Sequence, residues 1–375
     1  MRFFATTFAG LEDVAASELA ELLAVDTEAD VAKVFFSGDV EDCVKANFAG
    51  QTLNRVFLLL ARDDVGSLDD VAEVAESVDY YGLVGRNQSF AVKAERVGVH
   101  GFTSLDVAAA VGRAVIESYK AATGVRLKVD LTNPDVEIYC ILRNRELLIG
   151  LNTTGESLHR RWYRTGFHRA ALSPTVANAM VRISGWKANM TLVDPFTGSG
   201  TIPLEAAVHG LRVSPGIRRR LALEKLVFIQ PEDVERCRAF LAKRERIGEI
   251  LNVMGFDVSP RSVALAESSL RASGLGDAVR FMVADVFRLD GVLTTHVDRV
   301  VCNPPFGLRM RLRQPEKFYV ESFKAIRKAC PDASLTVLVN KPTIASKALE
   351  TAGYSVISAR KILLGPITAH IITAV

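Results

Sequence analysis

The chain has 375 residues, 49% hydrophobic and 24% charged, with 46 Lys and Arg against 43 Asp and Glu. At roughly 150 residues per domain this length holds two or three globular domains, and the composition excludes a disordered or fibrous chain. A net charge of +3 is too mild to identify a polyanion partner by itself, and five cysteines without CxxC spacing favour neither a disulfide framework nor a zinc site. No stretch approaches the roughly eighteen uncharged apolar residues of a membrane span, so a cytoplasmic monomer with no metal and no membrane partner is expected.

Residues 3–8 read as a strand, residues 11–23 carry apolar side chains at helical spacing, and residues 31–36 and 55–60 read as strands. Residues 71–78 look helical and 89–96 alternate like a strand. A helix over 104–119 places Val107, Val111 and Val115 on one face behind a Thr103 or Ser104 cap. Residues 136–142 and 146–151 form a hairpin around Arg143-Asn144-Arg145. From Ala171 the pattern changes to a helix over 174–186, a strand over 191–193 and a helix over 201–209, and then alternates to the end. An α+β first half is thus followed by βα units, which imply a largely parallel α/β sheet with helices on both faces.

Basic residues gather in three places: Arg160, Arg161, Arg164 and Arg169 around Trp162 and Tyr163; Arg218 to Arg220; and Arg309, Arg311 and Arg313. Each run alone reads as a solvated face. Together they also fit phosphate contacts with Trp162 and Tyr163 stacking on bases, or a linker packed against a domain by those two rings.

Two strand ends carry the chemistry. Asp194-Pro195-Phe196-Thr197-Gly198-Ser199-Gly200-Thr201 joins a buried strand to a helix but lacks the third glycine of a dinucleotide fingerprint, and no phosphate-loop pattern follows. Such a turn lets a ligand with an adenosine end approach bare backbone at the carboxyl edge of a parallel strand. Asp257 and Asp285, at the next two strand ends, suit ribose hydroxyls and an adenine amine, against the alternative that each caps a helix. Asn303-Pro304-Pro305-Phe306 then places an amide, a carbonyl and a ring together. An exocyclic base amine is a poor nucleophile, because its lone pair is delocalised into the ring. The Asn303 side-chain oxygen and the Pro304 carbonyl could take its two N–H groups while Phe306 stacks on the extruded base.

On these residues the C-terminal half resembles a Rossmann-type S-adenosylmethionine-dependent methyltransferase with the (D/N)PP(Y/F) motif of amino-methyltransferases. Phe90-Ala91-Val92-Lys93, Arg96, the stretch Gly98-Val99-His100-Gly101-Phe102-Thr103-Ser104-Leu105-Asp106, Pro134 to Ile138 and Leu148 to Asn152 resemble a THUMP domain, an RNA-binding module. Gly155-Glu156-Ser157-Leu158-His159-Arg160-Arg161-Trp162-Tyr163-Arg164 resembles the linker that follows it. The combination implies methylation of guanosine N2 in structured RNA. Ser214-Pro215-Gly216, Arg220 and Leu223-Glu224-Lys225 are similar to the branch acting on tRNA guanosine 6 and on large-subunit ribosomal RNA.

The resemblance implies a ferredoxin-like α+β segment at 1–65, a THUMP-like domain at 66–152, a linker at 153–172 and the methyltransferase at 173–375. It implies tRNA as partner and S-adenosyl-L-methionine as cofactor, held by Ser173, Thr175, Asp194, Phe196, Thr197, Gly198, Gly200, Thr201, Asp257, Val258, Asp285, Val286 and Asn303. Asn303, Pro304 and Phe306 would be catalytic, and Arg96, His100, Thr103, Ser104, Arg160, Arg161, Arg164, Arg309 and Arg311 would touch RNA. The alternatives are methylation of tRNA guanosine 10, methylation of a ribosomal guanosine, or an RNA-binding module without catalysis.

Overall fold

The computed structural model describes residues 1–164, 172–305 and 314–375. Its first strand, β1 (Arg2–Thr6), buries Phe3 and Phe4 on opposite faces, because the chain covers both sides of it. Then come α1 (Glu12–Leu23), β2 (Thr27–Asp30), β3 (Lys33–Ser37), α2 (Val40–Ala49) and β4 (Arg55–Asp64). The strand predicted over 31–36 begins two residues late, after a turn whose Ala32 has positive φ. β2 and α2 were not predicted. The sequence of β2, Thr-Glu-Ala-Asp, has no apolar alternation to reveal it.

Next are α3 (Leu68–Glu76), β5 (Ser89–Val97), α4 (Ser104–Thr123), β6 (Lys128–Val129), β7 (Val136–Arg143) and β8 (Glu146–Asn152). Thr103 and Asp106 form a reciprocal capping box at the start of α4, and Asn144 takes positive φ in the β7–β8 turn. All eight strands belong to one sheet in the order β2-β3-β1-β4-β8-β7-β5-β6. Antiparallel pairing of β4 with β8 joins its two parts, with a register shift between Leu59 and Ala61.

The second half contains α5 (Pro174–Ile183), β9 (Leu192–Asp194), α6 (Thr201–Gly210), α7 (Pro231–Arg244), β10 (Val253–Asp257), α8 (Pro260–Ser273), β11 (Arg280–Val283) and β12 (Arg299–Cys302). It ends with α9 (Pro315–Ala329), β13 (Ser334–Val339), α10 (Pro342–Thr351), β14 (Val356–Leu364) and β15 (Ile367–Ala374). The sheet order is β11-β10-β9-β12-β13-β15-β14, parallel except for the pairings that β15 makes with β13 and β14. Strand order reverses between β9 and β12, and such a switch point opens the ligand crevice of an open α/β sheet at the carboxyl ends of its strands.

The insertion between α6 and β10 folds into the other half of the molecule. Leu221, Leu223, Leu226, Ile229, Val234, Cys237 and Leu241 join the N-terminal core. The Ala222 and Leu223 N–H groups donate to the Thr154 and Thr153 carbonyls at 3.1 and 2.7 Å. A Cβ on Gly216 would lie 2.4 Å from the Asn47 carbonyl oxygen, so the Ser214-Pro215-Gly216 turn owes its glycine to close packing on α2.

Candidate active site

The glycine turn begins where β9 ends. Gly198 has φ of 52° and nothing within 4 Å of where a side chain would start, whereas a Cβ on Gly200, at φ 83°, would meet Phe281 at 2.7 Å and Ala266 at 2.9 Å. Gly200 therefore seats the start of α6 on the sheet, and Gly198 leaves bare backbone facing open space. Asp257 braces the turn: Oδ2 accepts the Gly198 N–H at 3.0 Å and Oδ1 the Ser259 N–H at 2.9 Å. Each oxygen has a second lone pair, so the brace still allows hydroxyl recognition. Asp285 Oδ1 caps the 3₁₀ turn Val286–Gly291 through the Phe287 N–H at 3.1 Å.

Asp194 is 1% exposed and accepts the Phe196 N–H at 3.0 Å. Burial holds its carboxyl well above the ordinary carboxylate range; the Phe196 hydrogen bond works against that shift and the charge of Asp257 works with it. Thr197 is buried beside Asp194, and its hydroxyl also opposes that shift. Thr201 is buried at the start of α6. Val258 is 69% exposed at the crevice rim, while the side chain of Val286 is buried in the core beside Phe256. Ser173 caps α5 and its hydroxyl lies 3.0 Å from that of Thr175, which donates to Asn54 Oδ1 at 3.1 Å.

One strand over, β12 delivers Asn303. Its Oδ1 is buried with no hydrogen-bond partner among the described residues, which is costly unless something else supplies the donor. Pro304 is buried, and Tyr319 of α9 donates to the Pro305 carbonyl at 3.4 Å. Phe318 touches Phe196 (ring centroids 6.1 Å apart) and Phe287 (6.3 Å), forming an aromatic cluster beside the crevice. Phe306, Arg309, Arg311 and Arg313 lie outside the described residues, as does Arg169.

The arginines near the linker divide. Arg161 does not face RNA: its side chain is 0% exposed and forms a bidentate pair with the fully buried Glu205 of α6, Nε to Oε1 at 2.9 Å and Nη2 to Oε2 at 3.0 Å. Its other donors reach the Leu158 and Gln51 carbonyls at 2.9 and 2.6 Å. Tyr163 and Asn178 complete the Glu205 shell at 2.7 and 3.1 Å. Trp162 also packs inward, with its N–H on the Ser273 carbonyl at 3.0 Å and Arg218 over its ring. Linker packing is therefore the role of both rings. Arg164 is half-buried and donates to the Leu172 carbonyl, while Arg160 is exposed and paired with Glu156 at 2.8 Å. Far from these, Arg96 lies 3.0 Å from His100 Nδ1, His100 Nε2 contacts the Asn144 carbonyl, Thr103 is held in its capping box, and Ser104 opens α4.

Residues 161–365 match the model of the UPF0020 family, an RMKL-like methyltransferase domain. Residues 65–152 match the THUMP domain and residues 2–57 the RlmL ferredoxin-like domain. A tRNA (guanine(6)-N2)-methyltransferase of Archaeoglobus fulgidus is 33% identical over 94% of this chain and 86% of its own length. A protein of the same name from Methanocaldococcus jannaschii is 30% identical over 90% of each. The solved structure of SMU.472 complexed with SAH is 24% identical, covers 99% of this chain and 97% of its own, and has a TM-score of 0.88, a likeness of fold.

The chain belongs to the THUMP-bearing RMKL-like methyltransferase family. The match is to a methyltransferase domain, so the chain is an enzyme, and S-adenosyl-L-methionine is the cofactor expected from its sequence. The site fits that cofactor: the open backbone at Gly198, the carboxylates of Asp257 and Asp285 and the buried Oδ1 of Asn303 surround the mouth of the switch point. Glu205, Phe318 and Tyr319 were missed in the sequence. Glu205 sits in an apolar helix without an obvious partner, because Arg161 reaches it only through the fold. Phe318, Tyr319 and Phe323 showed merely the spacing of a core helix face.

Proposed function

We propose that this protein transfers the methyl group of S-adenosyl-L-methionine to the exocyclic N2 of a guanosine in tRNA, at position 6 of the acceptor stem, in the cytoplasm. The observation that carries the reading is the buried Oδ1 of Asn303 at the switch point, which has no hydrogen-bond partner among the described residues and is an acceptor of the kind an amine needs. The names of the archaeal relatives supply the base and the RNA.

The bound cofactor supplies an electrophilic methyl on a sulfonium. Asp257 holds the ribose hydroxyls, Asp285 the adenine amine, and the Gly198 backbone allows close approach. Asn303 Oδ1 and the Pro304 carbonyl accept the two N2 hydrogens and turn the nitrogen lone pair toward the methyl, while Phe306 stacks on the extruded guanine. The N2–C bond would form as the methyl–sulfur bond breaks to leave a neutral thioether, and the surplus proton on the then positively charged N2 would pass along the Asn303 or Pro304 hydrogen bond to water, so strong base catalysis is not required of the chain. Buried Cys302, next to Asn303, is no nucleophile, since burial pushes its thiol well above the ordinary range and the charge of Asp194 adds to that.

Residues 1–152 dock the RNA through Arg96, His100, Thr103 and Ser104, and Arg160, Arg164, Arg309 and Arg311 add phosphate contacts. Incubation with labelled cofactor and unmodified tRNA transcripts, followed by nucleoside identification, tests this. The expected product is N2-methylguanosine, lost when guanosine 6 is replaced; label in adenosine or cytidine would overturn the reading.

A further inference from the structure

A second buried amide stands on the same sheet edge. Asn340 is the first residue beyond β13, as Asn303 is the first beyond β12, and its Oδ1 is also buried without a hydrogen-bond partner among the described residues. The two strands pair in parallel with Cys302 opposite Val337, and continuing that register sets Asn340 level with Pro305 of the NPPF turn. Adjacent strands run about 5 Å apart, within reach of a shared planar ligand.

An asparagine before a helix commonly serves as its cap. Here the capping position of α10 belongs to Lys341, and no side-chain cap bond forms. Among the described residues Asn340 therefore has a buried acceptor that no donor meets and that does not cap the helix, and a polar group is kept in such a place at a cost.

The base edge presented to this site has three hydrogens to place. Guanine carries two on N2 and one on N1. Asn303 and Pro304 account for the N2 pair, which leaves N1–H. Adenine has a bare acceptor at N1, and an acceptor facing it would repel it.

Resting on the functional reading above, we propose that Asn340 is a specificity-determining residue whose Oδ1 accepts the N1–H of the target guanine. The N1 proton stays on the base throughout, and Asn340 orients the ring so that the N2 lone pair points along the transfer line.

2-Aminopurine keeps the N2 amine and lacks the N1–H together with O6, so the contact is isolated by whether the Asn340 variants lose the discrimination between the two bases. Transcripts carrying guanosine or 2-aminopurine at the methylated position would be compared for wild type, Asn340→Ala and Asn340→Leu, with S-adenosylhomocysteine affinity and melting temperature as controls. Wild type is expected to prefer guanosine by at least about tenfold in kcat/KM, because a buried acceptor left unpaired discriminates strongly. Asn340→Ala should lower kcat/KM for guanosine by about that factor and leave 2-aminopurine nearly unchanged, which a purely structural role would not do.

Equal losses on both substrates, or a wild type indifferent to N1–H, would overturn the proposal while leaving guanosine methylation standing. A wild type that methylates no guanosine transcript overturns the functional reading, and this proposal with it. Asn340→Leu preserves bulk should the alanine variant fail to fold.

Discussion

At the crevice, Gly198 faces open space and the side-chain oxygens of Asn303 and Asn340 have no partner among the described residues. In the linker, Arg161 commits its donors to Glu205, Leu158 and Gln51, and Arg219 donates to the carbonyls of Glu156, Ser157 and Arg160. Both regions are rich in polar groups, and in sequence the arginine-rich linker looks the more like a ligand site. Hydrogen bonding reverses that order: the polar atoms of the linker satisfy one another as structural groups do, whereas the crevice holds buried acceptors that no donor meets among the described residues.

The sharpest way to break this comparison is to disturb the linker. Arg161→Ala should cost about 3–5 kcal/mol of folding stability, because it strands the buried charge of Glu205. Denaturant titration checks it, and a loss below about 1 kcal/mol would mean that the pair is solvated and free to meet RNA. The crevice should respond in the opposite way. Asn303→Ala should leave melting and cofactor affinity nearly intact while removing roughly 2–4 kcal/mol of transition-state stabilisation, a rate loss of about thirtyfold to a thousandfold. Single-turnover methyl transfer reads this out, and near-normal turnover would return Asn303 to a structural role.

Asp257 lies between the two regimes, since it both braces the turn and faces the crevice. Asp257→Ala should weaken cofactor binding by about tenfold or more, given roughly 1.5–3 kcal/mol for a hydrogen bond to a charged group. Calorimetry with S-adenosylhomocysteine decides it, and unchanged affinity would leave only the cap to Ser259 and the brace to Gly198.

What could be read from the sequence follows the same division. The α/β order and the glycine turn were legible because each is local: alternation and a strand end lie within a few residues, and the position of Asn303 just past a strand is of the same kind. The strand over 89–96 and the helix over 104–119 agree with β5 and α4 to within four residues at either end, since alternation and a capping box mark them. The fate of Arg161 was hidden because its partner lies 44 positions away, and a basic run next to two aromatics has the same composition whether it meets a phosphate or a buried glutamate. The insertion was hidden for a related reason. Its leucines show only that they are buried, and nothing in Leu221 to Leu226 says that the core they join is the N-terminal one.

The linker and the helix after the glycine turn also carry a pH dependence. Burial pushes the imidazole of His209 down to about 4, with the Arg182 charge adding and Glu21 opposing; burial pushes His159 down to about 4, with Arg160, Arg164, Arg55 and Arg161 adding. Both folded-state values lie below the ordinary 6.5, so the unfolded chain binds the protons more readily. The stability they contribute is fully present above pH 6.5 and is lost as pH falls toward about 4. Melting temperature should fall across that window, and His209→Asn should flatten the fall; an unaltered profile would mean that the imidazole is not held neutral by burial.

The smallest expected effect separates neighbouring arginines. Arg160 is 64% exposed in its side chain and paired with an equally exposed Glu156, so Arg160→Ala should change stability by no more than about 1 kcal/mol. If it meets a phosphate, its loss should weaken tRNA binding at low salt and flatten the log-log salt dependence by about 0.7–0.9, the share of one neutralised phosphate. Arg96→Ala should act likewise from the THUMP domain. Arg161, with no exposed side-chain surface, releases no counterions on binding, so a mild Arg161→Lys variant that still folds should keep the wild-type slope. Equal flattening by Arg160 and Arg161 variants in filter-binding titrations would show that the linker opens on RNA, and would erase the distinction between the satisfied seam and the waiting crevice.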